Sequence, residues 1–228
     1  MIRSLVVVAA LMTIAIPTVS SAAPMRPGPY VSGFLGVTIP QNSNVTTTVF
    51  GPGATTFSDL AEFDPNINVG GTAGYDFGFV RLEGELSYKQ GNISTVNDQT
   101  NSIQYVNVDG SLGALATMFN AFVDLHNTTP VTPYFGGGIG FAVLNLSQTS
   151  GINSTTGVWT PLYPSDNATV FAYQVGAGLE IALNRRVSLD LGYRYFATDK
   201  ANFDTNGFTS TELKFESHNA MAGVRVKF

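Results

Sequence analysis

The sequence predicts an all-β fold: an eight-stranded antiparallel up-and-down β-barrel that crosses a membrane. Charged residues make up only 12% of the 228 residues. Ordinary soluble domains carry about 25%, so something other than water faces much of this surface. Apolar and polar residues alternate with a period of two, which is the period of a strand with two different faces. The alternating segments are joined by short and long connectors in turn, as in membrane barrels.

The amino terminus predicts an export signal. Arg3 gives a positive start, residues 5–16 form an apolar run, and the small residues TVSSAA follow Pro17. The run is shorter than the roughly 20 apolar residues that a membrane-spanning helix needs. We therefore expect residues 1–22 to be a signal peptide that is cleaved after Ala22. Residues 23–228 are expected to form the barrel domain.

Eight segments with the strand period follow from Tyr30 onward. They cover residues 30–39, 66–77, 79–90, 110–125, 133–146, 169–183, 187–197 and 212–228. An even number suits a closed ring of hairpins, because closure leaves no strand edge unpaired. Long connectors rich in Ser, Thr, Asn and Gly cover 40–65, 91–109, 147–168 and 198–211. This alternation predicts short periplasmic turns and long extracellular loops.

The alternation also predicts which face meets lipid. In the segment 79–90, Val80 and Leu86 share one face, whereas Arg81 and Glu85 share the other. A soluble lipocalin-like barrel would show the same alternation with its apolar face inside. Here the polar face is rich in Gly, Ala and Ser, which suit a narrow lumen, and a water-facing exterior would need more charge. We therefore expect lipid on the apolar face, bordered by an aromatic girdle that includes Tyr88, Tyr193 and Tyr195.

Several segments resemble one known family. The stretch FAYQVGAGLEIALNRRVSLDLGYRYF at 171–196 and the terminal AMAGVRVKF at 220–228 resemble the closing hairpins of outer-membrane β-barrel proteins. That family includes the N-terminal domain of OmpA, the Omp25-type proteins and the opacity and Msp surface antigens. PYFGGGIGFA at 133–142 is similar to its central hairpin and YVSGFLGV at 30–37 to its opening strand. The resemblance implies an eight-stranded barrel in the outer membrane of a Gram-negative cell, adhesive in some members.

The carboxyl terminus extends this resemblance. Members of the family end in an aromatic residue on an alternating strand, and Val224, Val226 and Phe228 match that ending. The match implies a signal that the barrel-assembly machinery reads during insertion. A terminal Phe also ends many unrelated chains, but the period-two Val residues before it favour the assembly signal.

Charged residues of both signs on the inward face form the main candidate site. They are Arg81, Glu83, Glu85, Glu180, Asp190, Arg194, Arg225 and Lys227. An unpaired buried charge costs several kcal/mol, so we expect these groups to form a connected salt-bridge network in the lumen. The network is either a permanent plug or a gate for a small solute. Eight strands leave an interior that side chains only just fill, which favours the plug.

The sequence predicts no catalytic, metal or cofactor site. Cysteine is absent, so zinc would depend on two histidines and carboxylates. Glu83 and Glu85 lie beside the neutralising Arg81 and are not expected to act as an acid and a base. Ser217 and His218 resemble the local sequence of lipid A deacylases, but neighbouring strand residues point to opposite faces and cannot pair as nucleophile and base. The glycines 136–138 precede no helix, so they predict close packing and not a phosphate-binding loop.

In the long loops, Trp159 and Tyr163 are predicted to be exposed aromatics that contact a partner. Capping of the barrel mouth and contact with lipid headgroups remain alternatives for both.

We expect a surface protein with an envelope-integrity and antigen-like or adhesin-like role. A narrow porin-like channel is the alternative, and a lipid A-modifying enzyme a weaker one. Expected partners are outer-membrane lipid and lipopolysaccharide, the barrel-assembly machinery and host-surface molecules. The net charge of −5, without a Lys/Arg cluster, argues against nucleic acid.

Overall fold

The computed structural model describes residues 27–205 and 209–228. All regular secondary structure within these ranges is β-strand, and all ladders between strands are antiparallel. In the described part of the chain, no helix is long and apolar enough to cross a membrane. The expected signal peptide, residues 1–22, lies outside the described residues.

The strands of the described ranges follow one another along the chain without an intervening helix. In chain order they are Gly28–Pro40 (β1), Ser43–Val49 (β2), Thr55–Asp64 (β3), Asn66–Asp76 (β4), Val80–Asp98 (β5), Ile103–Asp109 (β6), Ser111–Asp124 (β7), Val131–Leu146 (β8), Thr149–Asn153 (β9), Trp159–Tyr163 (β10), Asp166–Ala182 (β11), Val187–Thr198 (β12), Ala201–Thr205 (β13), Thr209–Leu213 (β14) and Glu216–Lys227 (β15).

Eight of these strands form a closed ring. The ring order is β1–β4–β5–β7–β8–β11–β12–β15, and β15 pairs back to β1. The closing ladder sets Tyr30 opposite Lys227 and Ile39 opposite His218. These are the eight predicted segments, with ends displaced by a few residues. The largest difference is in β5, which continues beyond the predicted end at 90 as far as Asp98. The eight-stranded barrel is therefore confirmed.

The ladders also fix the tilt of the strands. From Val143 on β8, successive facing residues lead once around the ring and return to β8 at Pro133; they are Leu115, Tyr88, Val69, Leu35, Ala222, Leu191 and Leu179. One circuit thus shifts the register by ten residues, from position 143 to position 133. With a rise of about 3.3 Å per residue and strands about 4.8 Å apart, this shift corresponds to a tilt of about 40°. Such a barrel has room only for its own side chains.

Apolar side chains cover the outside of the ring. Leu35 is 67% exposed in the middle of β1, and Phe119 and Ile139 are also exposed in the middle of their strands. A continuous band of this kind is stable in lipid and not in water. Aromatic side chains border it at both rims, with Tyr75, Phe77 and Phe79 near the short turns and Tyr88, Tyr173 and Tyr193 near the other rim. The predicted orientation of the two faces is confirmed.

The long connectors differ from the prediction because they are largely built of strands. Their strands pair in the order β13–β14–β2–β3–β5–β6–β9–β10, so the wall continues above the ring. We call this part the loop tier; it comprises residues 41–65, 91–110, 147–165, 199–205 and 209–215. Its strands are short and rich in Thr, Ser and Asn, and each carries only a few apolar residues, which is why the hydrophobic period did not reveal them. Thr nevertheless favours strands, as in residues 46–48.

An apolar cluster fills the loop-side half of the interior. It contains Val45, Ile93, Leu112, Leu144, Phe196, Phe203, Leu213 and Phe215, among others. These side chains come from both the ring and the loop tier, so their burial joins the two parts. The sequence predicted a small and polar interior along the whole barrel. In the structure the polar interior is confined to the half near the short turns, where long charged side chains and aromatic rings lie beside the glycines.

Replacing Leu35 with Arg tests the lipid-facing band. A charge near the middle of the bilayer is expected to destabilise the inserted barrel by about 2–4 kcal/mol. Unfolding with denaturant in phospholipid vesicles, followed by the gel mobility of unboiled samples, measures the change. Gln104→Arg places the same charge on an exposed position of β6 and serves as the control. Equal stability of the two variants would contradict the membrane orientation.

Candidate functional site

The turn-side half of the lumen holds the first part of the charge network. The guanidinium of Arg225 contacts the carboxylates of Glu180 and Asp190. Arg81 lies 3.3 Å from the Glu180 carboxylate and 3.4 Å from that of Asp124. All but Asp190 are almost completely buried. Glu180 is therefore shared by two arginines, which offsets the cost of burying their charges.

Arg194 forms the second part of the network. It binds Glu85 and lies 3.2 Å from the carboxylate of Glu83. Asn120 Nδ2 donates to both carboxylates, at 2.9 Å to Glu85 and 3.3 Å to Glu83. Gln174 Nε2 donates to Glu85 Oε2 at 2.8 Å. One guanidinium and two amides thus contact the two carboxylates and compensate their charge.

Aromatic rings connect the two parts. Tyr30 Oη donates to Glu83 Oε2 at 2.7 Å, and the guanidinium carbon of Arg225 lies 4.8 Å from the centre of the Tyr30 ring. The guanidinium carbon of Arg81 lies 4.6 Å from the centre of the Tyr134 ring. Contacts of this kind contribute about 2 kcal/mol or more when they are desolvated. The rings therefore fill the space between the charges and also stabilise them.

Three charged residues of the lumen, Asp76, Lys89 and Asp124, were missed in the sequence. Lys227 Nζ donates to Asp76 Oδ2 at 2.6 Å, across the lumen face of β1. Lys89 is buried beside the Phe196 ring, and Asp124 pairs with Arg81. Lys89 shares the face of the predicted Arg and Glu residues on β5, so the alternation already contained its signal. Asp76 and Asp124 are the last residues of β4 and β7, and only Asp76 fell in a predicted turn.

Glycines make room for this network. A Cβ on Gly138 would overlap the amide of Asn120, and one on Gly178 would overlap the hydroxyl of Tyr134. Gly136 and Gly138 of the run in β8 therefore line the lumen beside the bulky side chains of Phe122 and Asn120, whereas Gly137 lies on the outer face. This matches the expectation of close packing and explains the run without a bound phosphate.

The Ser217–His218 pair lies at the opposite end of the barrel. Ser217 is buried on the lumen side and accepts a hydrogen bond from Asn219 Nδ2 at 3.1 Å. The His218 ring points outward, with Nδ1 2.6 Å from Tyr193 Oη and Nε2 2.8 Å from Gln41 Nε2. Serine and histidine thus face opposite sides of the wall, and both ring nitrogens are engaged.

The two predicted loop contact residues differ in their placement. Trp159 is 52% exposed, but Tyr163 is only 6% exposed. The ladder between β9 and β10 shifts between Pro161 and Tyr163, and this bulge turns the Tyr163 side chain inward. The expectation that Tyr163 is exposed is therefore wrong. Its hydroxyl donates instead to Asp59, which ties the β9–β10 hairpin to the β2–β3 hairpin.

Burial governs the protonation of this contact. Burial raises the pKa of Asp59, the hydrogen bond from Tyr163 opposes that rise, and the nearby Asp98 carboxylate adds to it. Burial and the Asp59 carboxylate also raise the pKa of the Tyr163 phenol. The phenol therefore stays protonated at neutral pH and continues to donate its hydrogen bond.

Comparison with known proteins identifies the family. Residues 6–228 match the family model of the outer membrane protein beta-barrel domain. The chain belongs to this family. The outer membrane protein PagN of Salmonella typhimurium is 27% identical over 238 residues, which cover 92% of this chain and 93% of PagN. An adhesin candidate of Rickettsia bellii is 32% identical over 115 residues, which cover 47% of this chain and 50% of that protein.

Solved structures share the fold. The outer membrane protein OprG of Pseudomonas aeruginosa has a TM-score of 0.55 and 14% identity, covering 90% of this chain and 97% of OprG. The outer membrane protease OmpT of Escherichia coli has a TM-score of 0.50 and 11% identity, covering 91% of this chain and 99% of OmpT. The family places the chain in the outer membrane of a Gram-negative cell. The same fold occurs in a protease, so catalytic activity in a barrel of this kind depends on its side chains and not on the fold.

Replacing Arg225 with Met tests the charge network. The substitution keeps the aliphatic stem but leaves Glu180 and Asp190 with one cation fewer, so we expect a loss of about 3–5 kcal/mol in the free energy of unfolding. Denaturant unfolding in vesicles measures it. Lys200→Met removes one partner of the exposed Lys200–Glu212 pair and should cost less than about 1 kcal/mol. Similar losses in both variants would show that the lumen pairs contribute no more than a surface pair.

Proposed function

We propose that the protein is a closed surface barrel that supports the integrity of the outer membrane and contacts other cells through its loop tier. The role in membrane integrity is supported by the filling of the lumen, which consists of two different parts in series. The charge network occupies the half near the periplasmic turns, and the apolar cluster occupies the half near the loop tier. Together they support a permanent plug.

A solute path would have to cross both fillings. In the first, the guanidinium groups of Arg81 and Arg225 would have to leave buried carboxylates, which costs several kcal/mol. In the second, a hydrated ion would meet Phe196, Phe203 and Phe215, and apolar constrictions of this kind exclude water. The same side chains contribute to the stability of the wall. These contacts favour the plug over the narrow channel.

Planar-bilayer recording distinguishes the plug from the channel. The purified barrel, shown to be folded by its heat-modifiable gel mobility, is expected to give no reproducible conductance steps. A known porin inserted under the same conditions serves as the control for the recording. Steps in the unmodified protein that change in size after Arg194→Gln would contradict the plug and favour a gated channel.

Exposed apolar side chains support the second half of the proposal. Val158 and Trp159 are 58% and 52% exposed beside the turn of the β9–β10 hairpin, and Phe50 is exposed beside the turn of the β2–β3 hairpin. Exposed aromatics anchor many protein interfaces. The related adhesin candidate of Rickettsia bellii agrees with this role. We therefore propose that these hairpin ends contact host-surface molecules.

A Trp159→Ala substitution tests this contact. If Trp159 is an anchor, its removal should reduce attachment of bacteria to cultured host cells by about fivefold, which corresponds to roughly 1 kcal/mol. Thr155→Ala removes an exposed polar side chain from the same hairpin and should leave attachment unchanged. A deletion strain gives the baseline. If the deletion strain attaches as well as the parent, the barrel has no adhesive role.

The remaining proposals concern export, insertion and chemistry. We propose that residues 1–22 direct export and are removed after Ala22, which sequencing of the mature amino terminus checks.

Phe228 is 78% exposed, and Val224 and Val226 also face lipid, which supports an assembly signal read during insertion. We further propose lipopolysaccharide as a partner and no catalytic role, since Ser217 and His218 face opposite sides. A changed lipid A mass spectrum upon expression would contradict the last point.

A further inference from the structure

The wall opens outward between the ring and the loop tier. The ladder of β1 and β15 ends where Pro40 faces Ser217, and the ladder of β14 and β2 begins where Glu212 faces Thr46. Two hydrogen bonds cross the interval, from Gln41 N to Glu216 O and from Ser43 Oγ to Lys214 O. The interruption leaves a recess between the two chain segments, which we call the wall recess.

The wall recess is lined almost entirely by polar and charged residues and is large enough for a sugar. Its volume is about 350 Å³, within the usual range of small-molecule sites. Leu213 is the one apolar residue among those that line it. Side-chain amides and hydroxyls border it at Gln41, Asn42, Asn44 and Thr46. Amides and hydroxyls both donate and accept hydrogen bonds, which is the chemistry that sugar hydroxyls require.

The cations of the loop tier meet at this recess. Lys200 and Lys214 are the only Lys or Arg residues in the described part of the tier, and both line the recess. Lys200 lies 3.3 Å from Glu212, with 64% of its side chain exposed. Among the side chains that the structure describes, no carboxylate lies at ion-pair distance from Lys214. Two carboxylates, Glu212 and Glu216, also line the recess. The two ammonium groups are nevertheless the positions in the described tier that can bind an anion directly.

The height of the recess identifies the layer that it faces. Just below it, the amide of Gln41 donates to His218, whose ring is stacked on Tyr193 in the outer aromatic girdle. Each residue along a tilted strand raises the chain by about 2.5 Å, so Lys214 lies about 10 Å above His218. Aromatic girdles mark the boundary of the hydrocarbon. The recess therefore opens into the layer of phosphates and sugars of the outer leaflet.

We propose that the wall recess binds a phosphorylated saccharide, the headgroup region of the outer-leaflet glycolipid. Lys214 and Lys200 hold the phosphate, and the side chains of Asn42 and Asn44 bind the sugar hydroxyls. Glu212 and Glu216 accept hydrogen bonds from further hydroxyls. The inference rests on the proposal that lipopolysaccharide is a partner, and it locates that partnership. It does not depend on attachment to host cells.

Calorimetric titration of the full barrel in detergent tests the site. The probe is the deacylated, phosphorylated oligosaccharide of rough-type lipopolysaccharide. The double variant Lys200→Gln/Lys214→Gln is expected to bind it at least about fivefold more weakly. Arg186→Gln removes one charge from an exposed periplasmic turn and is expected to leave binding unchanged. Dephosphorylated oligosaccharide should bind the unmodified barrel weakly and be insensitive to the lysine substitutions.

Other results of the titration would contradict either the position of the site or the identity of the ligand. Equal binding by the double variant and the unmodified protein would remove the wall recess as the site while leaving lipopolysaccharide as a partner elsewhere. Absence of binding to the unmodified, folded barrel would overturn both the site and the partnership. Tighter, lysine-dependent binding of a sulfated host glycosaminoglycan fragment would overturn the outer-leaflet source and assign the recess to a host saccharide. Unboiled gel mobility confirms that each variant is folded.

Discussion

Closure of the ring by β1 and β15 is the constraint on which the rest of the structure depends. The two strands are the most distant in sequence, and their ladder runs from Tyr30 and Lys227 to Pro40 and Ser217. Once it forms, the register shift of the circuit fixes the tilt and the narrow lumen. Every inward side chain must then be accommodated by the other strands, because little space and no bulk water remain.

The charge network follows from this narrow lumen and also restricts the register. A slip of one residue in β15 would move Arg225 and Lys227 into lipid and Val224 and Val226 into the lumen. Such a slip would also leave Asp190 and Asp76 without a cation. Because an unpaired buried charge costs several kcal/mol, the network disfavours incorrect pairings even where its net contribution to stability is small.

The sequence predicted the features that depend on local periodicity. The eight ring strands and their lipid faces follow from side chains alternating along each strand, and so does the inward position of residues such as Arg81 and Arg194. Partner choice across the lumen depends on the register shift of the whole circuit, so Asp76 and Asp124 were missed. The strands of the loop tier were missed because they are short and carry few apolar residues each. The bulge that turns Tyr163 inward adds one residue at a place that composition does not mark.

Buried side chains of the loop tier fix the surface hairpins to the barrel, which affects how these hairpins can bind a partner. Val45, Phe203 and Leu213 pack in the same cluster as Leu112 and Phe196 of the ring, so the hairpins are held by the barrel. A surface held in this way loses less conformational entropy on binding than a flexible loop does. The strand that begins with Trp159 is also protected, because β10 pairs only with β9 among the described strands and contains Pro161. Proline has no N–H to donate to an added strand, so this edge favours contact through side chains over extension of the sheet.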